Sequence, residues 1–274
     1  MSDGREAADG SDAPFIRRET EDGVAILTLD RPVNLNRFST EEQFLELAAA
    51  IREAGGDPTV RALVITGAGR AFCSGGDVGR MAAREGFSAG GVGDIRERYR
   101  RSVHQVPFAL WETEIPTIAA VNGAAYGAGC DLACFCDIRI ASETASFCVS
   151  FARLGIVSGD GGAWMLPRLV GRSKAMELAF TAAPIDAETA RRIGLVSDVV
   201  GADELLPRTM ALAHRIAAHP AEAMRMNKRL LRDAEQLGLT AHLDMVAAFQ
   251  AIAHMAPEHL DAASAALRSL RRRS

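Results

Sequence analysis

The sequence of 274 residues lacks the features of a membrane, secreted or disulfide-stabilised protein. It has no run of about 18 uncharged apolar residues, so no membrane-spanning helix is predicted. Its N-terminus is polar and has no apolar segment typical of a secretory signal peptide. Its five cysteines are odd in number and have no framework of spacings, which indicates a reducing compartment. We therefore expect a cytoplasmic protein with no membrane partner.

Little in the sequence would bind nucleic acid or a nucleotide. The formal net charge is -4, and only residues 271–273 are locally basic, which is typical of a solvated helix end. Gly67 and Gly69 follow a predicted strand, but the third glycine of a GxGxxG pattern would fall on Phe72. The pair Gly127 and Gly129 lacks its third glycine as well, and no GxxxxGK[ST] motif occurs. These absences predict no nucleic-acid partner and no bound cofactor.

Signatures of covalent or metal-dependent catalysis are also missing. The sequence has no GxSxG motif, and its six histidines lie in predicted helices or at their ends, away from the glycine-rich loops. No Ser-His-Asp triad is therefore predicted. Cys134 and Cys136 are too close in sequence for a CxxC pair, so we expect buried small apolar side chains and no metal site. The histidines are His104, His214, His219, His242, His254 and His259.

The sequence has the composition of a globular protein, with 48% hydrophobic and 24% charged residues. Residues 1–14 are predicted to form a disordered tail. Strand and helix patterns alternate over residues 15–200, which favours an α/β core with a parallel sheet. Predicted strands cover residues 16–18, 24–29, 62–66, 116–121, 137–141 and 195–200. Helical patterns fill residues 201–274, which we interpret as a lid or an oligomerisation arm.

Two glycine-rich loops share one pattern: a strand, a glycine-rich turn and the start of a helix. The first contains Ser74, Gly75 and Gly76, and the second contains Gly127 and Ala128. Unpaired backbone N–H groups at a helix start lie at the positive end of the helix dipole. Two such groups on neighbouring loops would form an oxyanion hole, although glycines also serve simply to make tight turns.

Three carboxylates near these loops are candidates for acid–base work. A carboxylate among apolar walls has a raised pKa, which suits it to proton transfer near neutral pH. Asp131 lies in the first turn of the helix after the second loop, where it could also simply stabilise the helix dipole. Asp160 is flanked by small residues and could instead cap the next helix. Asp77 follows the first loop and is also placed to cap a helix.

These motifs resemble the enoyl-CoA hydratase/isomerase (crotonase) superfamily over about residues 15–270. The matching segments, in order, are residues 30–32, 35–36, 71–77, 120–123, 127–133, 136–139 and 154–155. Residues 151–155 and 160–168 resemble, more narrowly, the subgroup that contains the ring-epoxide phenylacetyl-CoA isomerase. The resemblance implies a ββα spiral core and a helical C-terminal trimerisation region. It also implies a homotrimer or homohexamer as the assembly.

The resemblance further implies an acyl-CoA thioester as the substrate, with coenzyme A as part of that substrate. The backbone N–H groups of Gly76 and Ala128 match the family's oxyanion positions. The segment that lies along coenzyme A corresponds to Ala71, Phe72, Cys73 and Ser74, and Asp77 and Phe151 are expected at the substrate. The resemblance leaves open whether the terminal arginines contact the CoA phosphates.

The departures from the family pattern bear on the reaction. Hydratases of this superfamily position a water with two glutamates. The first glutamate falls on Asp131, and the second falls on Phe151, which cannot transfer protons. In the resembling subgroup, an aspartate at the position of Asp160 is the catalytic base.

We therefore expect proton transfer through a thioester enolate, with a preference for double-bond isomerisation by Asp160. Asp131 would assist this base or hold a water. Three alternatives stay open: hydration by Asp131 and Asp160 together, thioester hydrolysis, and a non-catalytic acyl-CoA-binding protein. Residues 82–94 are predicted to wall the acyl pocket.

Overall fold

The computed structural model describes residues 13–273, with the side chains at 269 and 271–273 excepted. Residues 1–12 of the predicted disordered tail therefore lie outside the described residues. The side chains of the terminal arginines lie outside them as well. Within residues 13–273, ten strands alternate with helices. They are β1 (Ile16–Glu21), β2 (Val24–Leu29), β3 (Ala62–Gly67), β4 (Ala71–Cys73), β5 (Thr117–Val121), β6 (Ala124–Tyr126), β7 (Ile138–Ser142), β8 (Ser146–Cys148), β9 (Ile185–Asp186) and β10 (Asp198–Val200).

In the described part of the chain, twelve α-helices lie between these strands or follow them. They are α1 (Glu41–Gly56), α2 (Val78–Ala82), α3 (Val92–Arg98), α4 (Gln105–Glu112), α5 (Ala128–Phe135), α6 (Gly162–Val170), α7 (Arg172–Thr181), α8 (Ala187–Arg192), α9 (Leu205–Ala217), α10 (Ala221–Asp233), α11 (Leu239–Met255) and α12 (Pro257–Arg273). No helix in the described range 13–273 is both long enough and apolar enough to cross a membrane.

A six-stranded sheet in the order β1-β2-β3-β5-β7-β10 forms the centre of the fold. Strand β1 is antiparallel to β2, and every other pairing in this sheet is parallel. Residues of β2 alternate between two apolar clusters: Leu27 packs on the side of α1, and Ile26 packs on the side of α9. Because both faces of the sheet are covered, β2 and β3 consist largely of consecutive apolar residues.

A second, four-stranded sheet in the order β4-β6-β8-β9 lies beside the first. Strands β4, β6 and β8 run parallel, and β9 is antiparallel to β8. The sequence did not predict this sheet, because its strands have only two or three residues each. After residue 163, the strand predicted at 195–200 is present as β10, and β9 was not predicted.

The helical stretch of residues 92–112 is not one continuous α-helix. Helix α3 ends at Arg98, a π-helical turn covers Tyr99–Val103, and α4 begins at Gln105. In the π-helical turn, the amide of His104 donates to the carbonyl of Tyr99 over 2.9 Å. This wider turn changes the direction of the side chains that follow, which matters for the site described below.

The C-terminal helices differ in how they pack. Helix α9 covers one face of the central sheet and buries Leu205, Ala213 and Ala217. Helices α10 and α11, in contrast, bury none of their residues. Large apolar side chains on α11, among them Leu239 and Met255, are 73% and 85% exposed.

Candidate active site

The two glycine-rich loops predicted from the sequence lie against each other. They follow β4 and β6, which are adjacent parallel strands, rather than following β3 and β5 directly as expected. A Cβ at Gly75 would lie 2.7 Å from the carbonyl oxygen of Tyr126, and a Cβ at Gly129 would overlap the carbonyl of Cys73. Because these glycines have no side chain, the backbones of the two loops can touch.

The N–H groups of Gly76 and Ala128 lie where the two loops meet. Gly76 follows Gly75, which has a φ of +97°, and Ala128 is the first residue of α5. Within residues 13–273, neither N–H donates to a protein acceptor. Both residues line the same pocket, so two free donors from different loops face one space. This is the arrangement required of an oxyanion hole.

The buried side chain of Asn36 fixes the first of these loops. Its amide nitrogen donates to the carbonyls of Ala68 and Ala71 over 2.9 and 2.8 Å, and its oxygen accepts from the amide of Arg31 over 2.9 Å. Asn36 has a φ of 56°, in the left-handed region that asparagine tolerates better than most residues. In the sequence, Asn36 was noticeable only as part of the family motif.

Asp160 lies in the same pocket as the two N–H donors. It is half-buried, and no group within residues 13–273 donates a hydrogen bond to its carboxylate. The helix that follows is capped by Gly161, so the alternative that Asp160 caps it is wrong. Of the described residues that line this pocket, Asp160 is the one carboxylic acid.

Asp131 is buried and holds both ends of the loop that carries Asp160. The hydroxyl of Ser158 and the amide of Gly162 donate to the same carboxylate oxygen, over 2.6 and 3.0 Å. A Cβ at Gly162 would overlap the carboxylate, so this glycine permits the close approach. Asp131 thus connects the first turn of α5 to residues 158–162.

The two aspartates have raised pKa values for different reasons. Burial, followed by the nearby charge of Asp131, raises the pKa of Asp160 to about 8. Burial raises the pKa of Asp131 to about 6, although the hydrogen bonds from Ser158 and Gly162 lower it. A pKa within about one unit of neutral pH suits Asp160 to taking up and returning protons.

Most of the other side chains that line the pocket are apolar. They include Phe44 from α1, Met81 from α2, Phe87, Phe151 and Ile156, and the polar side chains of Ser74, Tyr99 and Ser150 line it as well. Phe87 belongs to the segment 82–94 predicted to wall an acyl pocket. The arrangement therefore combines two N–H donors, one carboxylic acid with a raised pKa, and walls suited to a hydrocarbon group.

The comparisons with known proteins agree with this chemistry. The sequence profile described as "Enoyl-CoA hydratase/isomerase" matches residues 19–262. The chain belongs to the enoyl-CoA hydratase/isomerase family. It is 35% identical to the 1,2-epoxyphenylacetyl-CoA isomerase of Escherichia coli K12 over 253 residues, which cover 92% of this chain and 95% of that protein.

Other members of the family are similarly close. The crotonyl-CoA hydratase of Syntrophomonas wolfei is 38% identical over 219 residues, which cover 80% of this chain and 81% of that protein. The crystal structure of an enoyl-CoA hydratase from Mycobacterium smegmatis matches with a TM-score of 0.86 at 31% identity, covering 94% of this chain and 97% of that chain. The predicted crotonase-type α/β fold and the assignment to an enzyme family are confirmed.

Other residues predicted for the site of this hydratase/isomerase family member have more limited roles. The side chains of Phe72 and Cys73 are fully buried in the core, so only their backbone can face a ligand, whereas Ser74 lines the pocket. Burial raises the pKa of the Cys73 thiol to about 12, an effect that the charge of Asp160 increases and the amide of Gly75 opposes. Ala71 is likewise buried.

Asp77 caps α2, as the alternative interpretation proposed. Its carboxylate accepts from the amide of Arg80 over 3.1 Å and from the hydroxyl of Ser39 over 3.1 Å, and it pairs with Arg37 at 3.1 Å. Burial alone would raise the pKa of Asp77, but these hydrogen bonds and the arginine charge lower it. Asp77 is absent from the described lining of the pocket, in contrast to Phe151.

Sequence reasoning missed two residues beside the loop of Asp160. His104 was placed away from the glycine-rich loops, but its Nε2 lies 3.1 Å from the carbonyl oxygen of Gly159. Tyr99 lines the pocket, and its pKa is raised by burial and by the charge of Asp160. Both contacts span more than 50 residues of sequence, so no local pattern could reveal them.

One group of possible metal ligands is present elsewhere in the described part of the chain. Glu21, Asp22 and His214 each have one ligand atom within 4.8 Å of the others. They lie at the turn after β1 and on α9, and none of them lines the pocket of Asp160. The proton chemistry of the pocket therefore involves none of these three groups.

Proposed function

We propose that the protein isomerises an enoyl-CoA thioester by moving a proton through an enolate. The observation that carries this proposal is the position of Asp160, a carboxylic acid with a pKa of about 8 in the pocket that holds the N–H groups of Gly76 and Ala128. The 35% identity to an acyl-CoA isomerase supports it. Coenzyme A would enter as part of the substrate, and no bound cofactor is required.

In the proposed reaction, the carboxylate of Asp160 removes a proton from the α-carbon of a 3-enoyl-CoA. The electron pair moves onto the thioester oxygen, where the N–H groups of Gly76 and Ala128 stabilise the negative charge. Each donor of this kind contributes about 2.7–4 kcal/mol to lowering a barrier. Asp160 then returns a proton to the γ-carbon, and the double bond moves from the 3-position to the 2-position.

The role we propose for Asp131 is to hold the loop of Asp160 and to set the pKa of that base. Its hydrogen bonds to Ser158 and Gly162 support this role. Hydration is the second candidate, because the two coupled carboxyls have pKa values of about 6 and about 8, so that one can act as acid and the other as base. The identity of 38% to a crotonyl-CoA hydratase supports hydration as a candidate.

The test is to incubate the protein with a 3-enoyl-CoA in D₂O and to follow the product by mass spectrometry and NMR. Isomerisation predicts a shifted double bond, deuterium incorporation and no added water. Added water would instead assign hydration, and release of free CoA would assign hydrolysis. No change while CoA still binds would favour a non-catalytic protein or a different acyl group.

The variant Asp160→Asn tests the base directly. We expect loss of α-proton exchange by a factor of about 10²–10⁴, because that range is typical of general acid–base catalysis. Exchange retained at the wild-type rate would overturn the role of Asp160.

Thermal unfolding of Asp160→Asn provides the folding control. A carboxyl with a raised folded-state pKa lowers stability as the pH rises from the unfolded pKa of 3.8 to the folded pKa of about 8. Asparagine does not ionise, so the variant does not lose this stability as the pH rises. The Tm of the variant should therefore equal or exceed that of the wild type at pH 7 and above.

A further inference from the structure

The loop of residues 158–162 is held from two sides. Asp131 binds Ser158 and Gly162, at its two ends. A further contact is made by His104, whose Nε2 lies 3.1 Å from the carbonyl oxygen of Gly159. That carbonyl belongs to the peptide group that joins Gly159 to Asp160. Fixing its direction therefore fixes the backbone of Asp160 itself.

The protonation of His104 at this contact follows from its partner. A carbonyl oxygen can only accept a hydrogen bond, so Nε2 must carry the hydrogen and donate it. His104 is absent from the described lining of the pocket that contains Asp160, Gly76 and Ala128. The imidazole therefore contacts the loop from outside that pocket.

The π-helical turn at Tyr99–Val103 brings His104 to this position. Tyr99, at the start of the turn, lines the pocket, and a Cβ at Gly159 would lie 2.5 Å from its ring. His104, just after the turn, reaches the carbonyl of the same glycine. π-Helical turns are rare and are frequently found at functional sites. Here one such turn provides two contacts to the residue that precedes the base.

We propose that His104 is a positioning residue, which directs the carboxylate of Asp160 toward the substrate by hydrogen-bonding the Gly159 carbonyl. This inference rests on the proposed function, because it gives Asp160 the role of base. The ionisable groups that face Asp160 are Asp131 from α5, Cys73 from β4 and Tyr99 from the π-helical turn. Release of the loop would move Asp160 relative to all three and toward water.

Two substitutions distinguish the effect of losing the hydrogen bond from the effect of changing the size of the side chain. His104→Leu removes the donor and keeps an apolar group of similar size, whereas His104→Gln supplies an amide N–H at a similar reach. His219→Leu is the matched control, because His219 is exposed at the end of α9. We expect His104→Leu to lower kcat by about 10–100-fold, since misplacing a reacting group by 1 Å costs about 10²-fold. KM should stay within about threefold, because binding of the CoA thioester is unaffected.

A structural role alone would not move the pH profile, so that profile is the deciding measurement. In His104→Leu, water reaches Asp160 and the apparent pKa of the base should fall by about one unit, because desolvation is the main cause of its raised value. His104→Gln should restore most of kcat and the wild-type profile. Wild-type kcat and pH profile in His104→Leu would overturn the proposal. An equal loss in both variants would do the same.

Hydrogen exchange of the amides of residues 158–162 gives a readout that needs no substrate. We expect faster exchange in His104→Leu than in His104→Gln or His219→Leu. If the wild type shows no proton exchange with any enoyl-CoA, the proposed function fails, while loop protection still tests His104. If His104→Leu does not fold, His104→Asn takes its place, because its shorter amide falls short of the carbonyl. Equal loop protection in the asparagine and glutamine variants would then overturn the proposal.

Discussion

At the scale of single residues, the reaction we propose depends on the pair Asp131 and Asp160. The charge of Asp131 raises the pKa of Asp160, so neutralising Asp131 should lower that pKa. In Asp131→Asn, we expect the rising limb of the pH–rate profile to move toward acid by about one unit, since removing one nearby charge of the same sign is worth roughly that much. The asparagine oxygen can still accept from Ser158 or Gly162, which keeps the loop in place.

The measurement is kcat/KM for isomerisation between pH 5 and 9, on the wild type, Asp131→Asn and Asp203→Asn. Asp203 is an exposed residue before α9 and serves as the control for loss of one negative charge. A profile that stays fixed, or moves toward alkali, would contradict the electrostatic coupling of the two carboxyls.

Only part of the site could be predicted from single residues. Asp131 and the two glycine-rich loops follow a strand–turn–helix pattern that the sequence shows. Asp160 was chosen for its small neighbours and for the family resemblance, which also pointed to the N–H groups of Gly76 and Ala128. The roles of these residues stay predictions. His104 could not be identified, since its partner Gly159 is 55 residues away and the contact depends on a π-helical turn. The capping role of Asp77 could be predicted, because capping depends on the next three residues alone.

At the scale of elements, the close contact between the two glycine-rich loops is the critical packing interaction. Gly129 in α5 lies against the backbone of Cys73, which cannot move without displacing β4. We expect Gly129→Ala to separate the loops and to lower kcat by about 10²–10³-fold, the effect of losing one oxyanion donor. Steady-state kinetics with CD and thermal unfolding would check this.

A matched control for this substitution lies on α3. A Cβ added at Gly93 would have no atom within 4 Å, and the residue is helical. Gly93 belongs to the segment 82–94 predicted to wall the acyl pocket, but it is not among the described residues that line the pocket. Gly93→Ala should therefore leave kcat unchanged and stabilise α3 by up to about 1 kcal/mol. Equal kinetic effects of the two substitutions would show that the contact at Gly129 is unimportant.

The elements themselves differ in how well the sequence predicts them. The central sheet is evident, because strands covered on both faces require continuous apolar runs. The second sheet is not, because β4, β6 and β8 have only three residues each. Their pairing is set by tertiary contacts with the first sheet, which a local pattern does not contain.

At the scale of the whole molecule, the C-terminal helices leave an apolar surface uncovered. Ile252 and Met255 on α11 are 59% and 85% exposed, and α10 and α11 bury none of their residues. Large exposed apolar patches mark interaction surfaces. The sequence predicted these helices, but their packing could not follow from it, since the described chain provides no surface that buries them.

We propose that copies of this chain cover that surface, in a homotrimer or homohexamer. Light scattering should then give three or six times the mass of one chain. The double variant Ile252→Glu with Met255→Glu places two charges one turn apart on the same face of α11, and burying them unpaired would cost several kcal/mol. We therefore expect it to elute as a monomer, whereas Val33→Glu, an exposed valine far from α11 in sequence, keeps the wild-type mass. A monomeric wild type, or an unchanged mass in the double variant, would show that α11 does not form the interface.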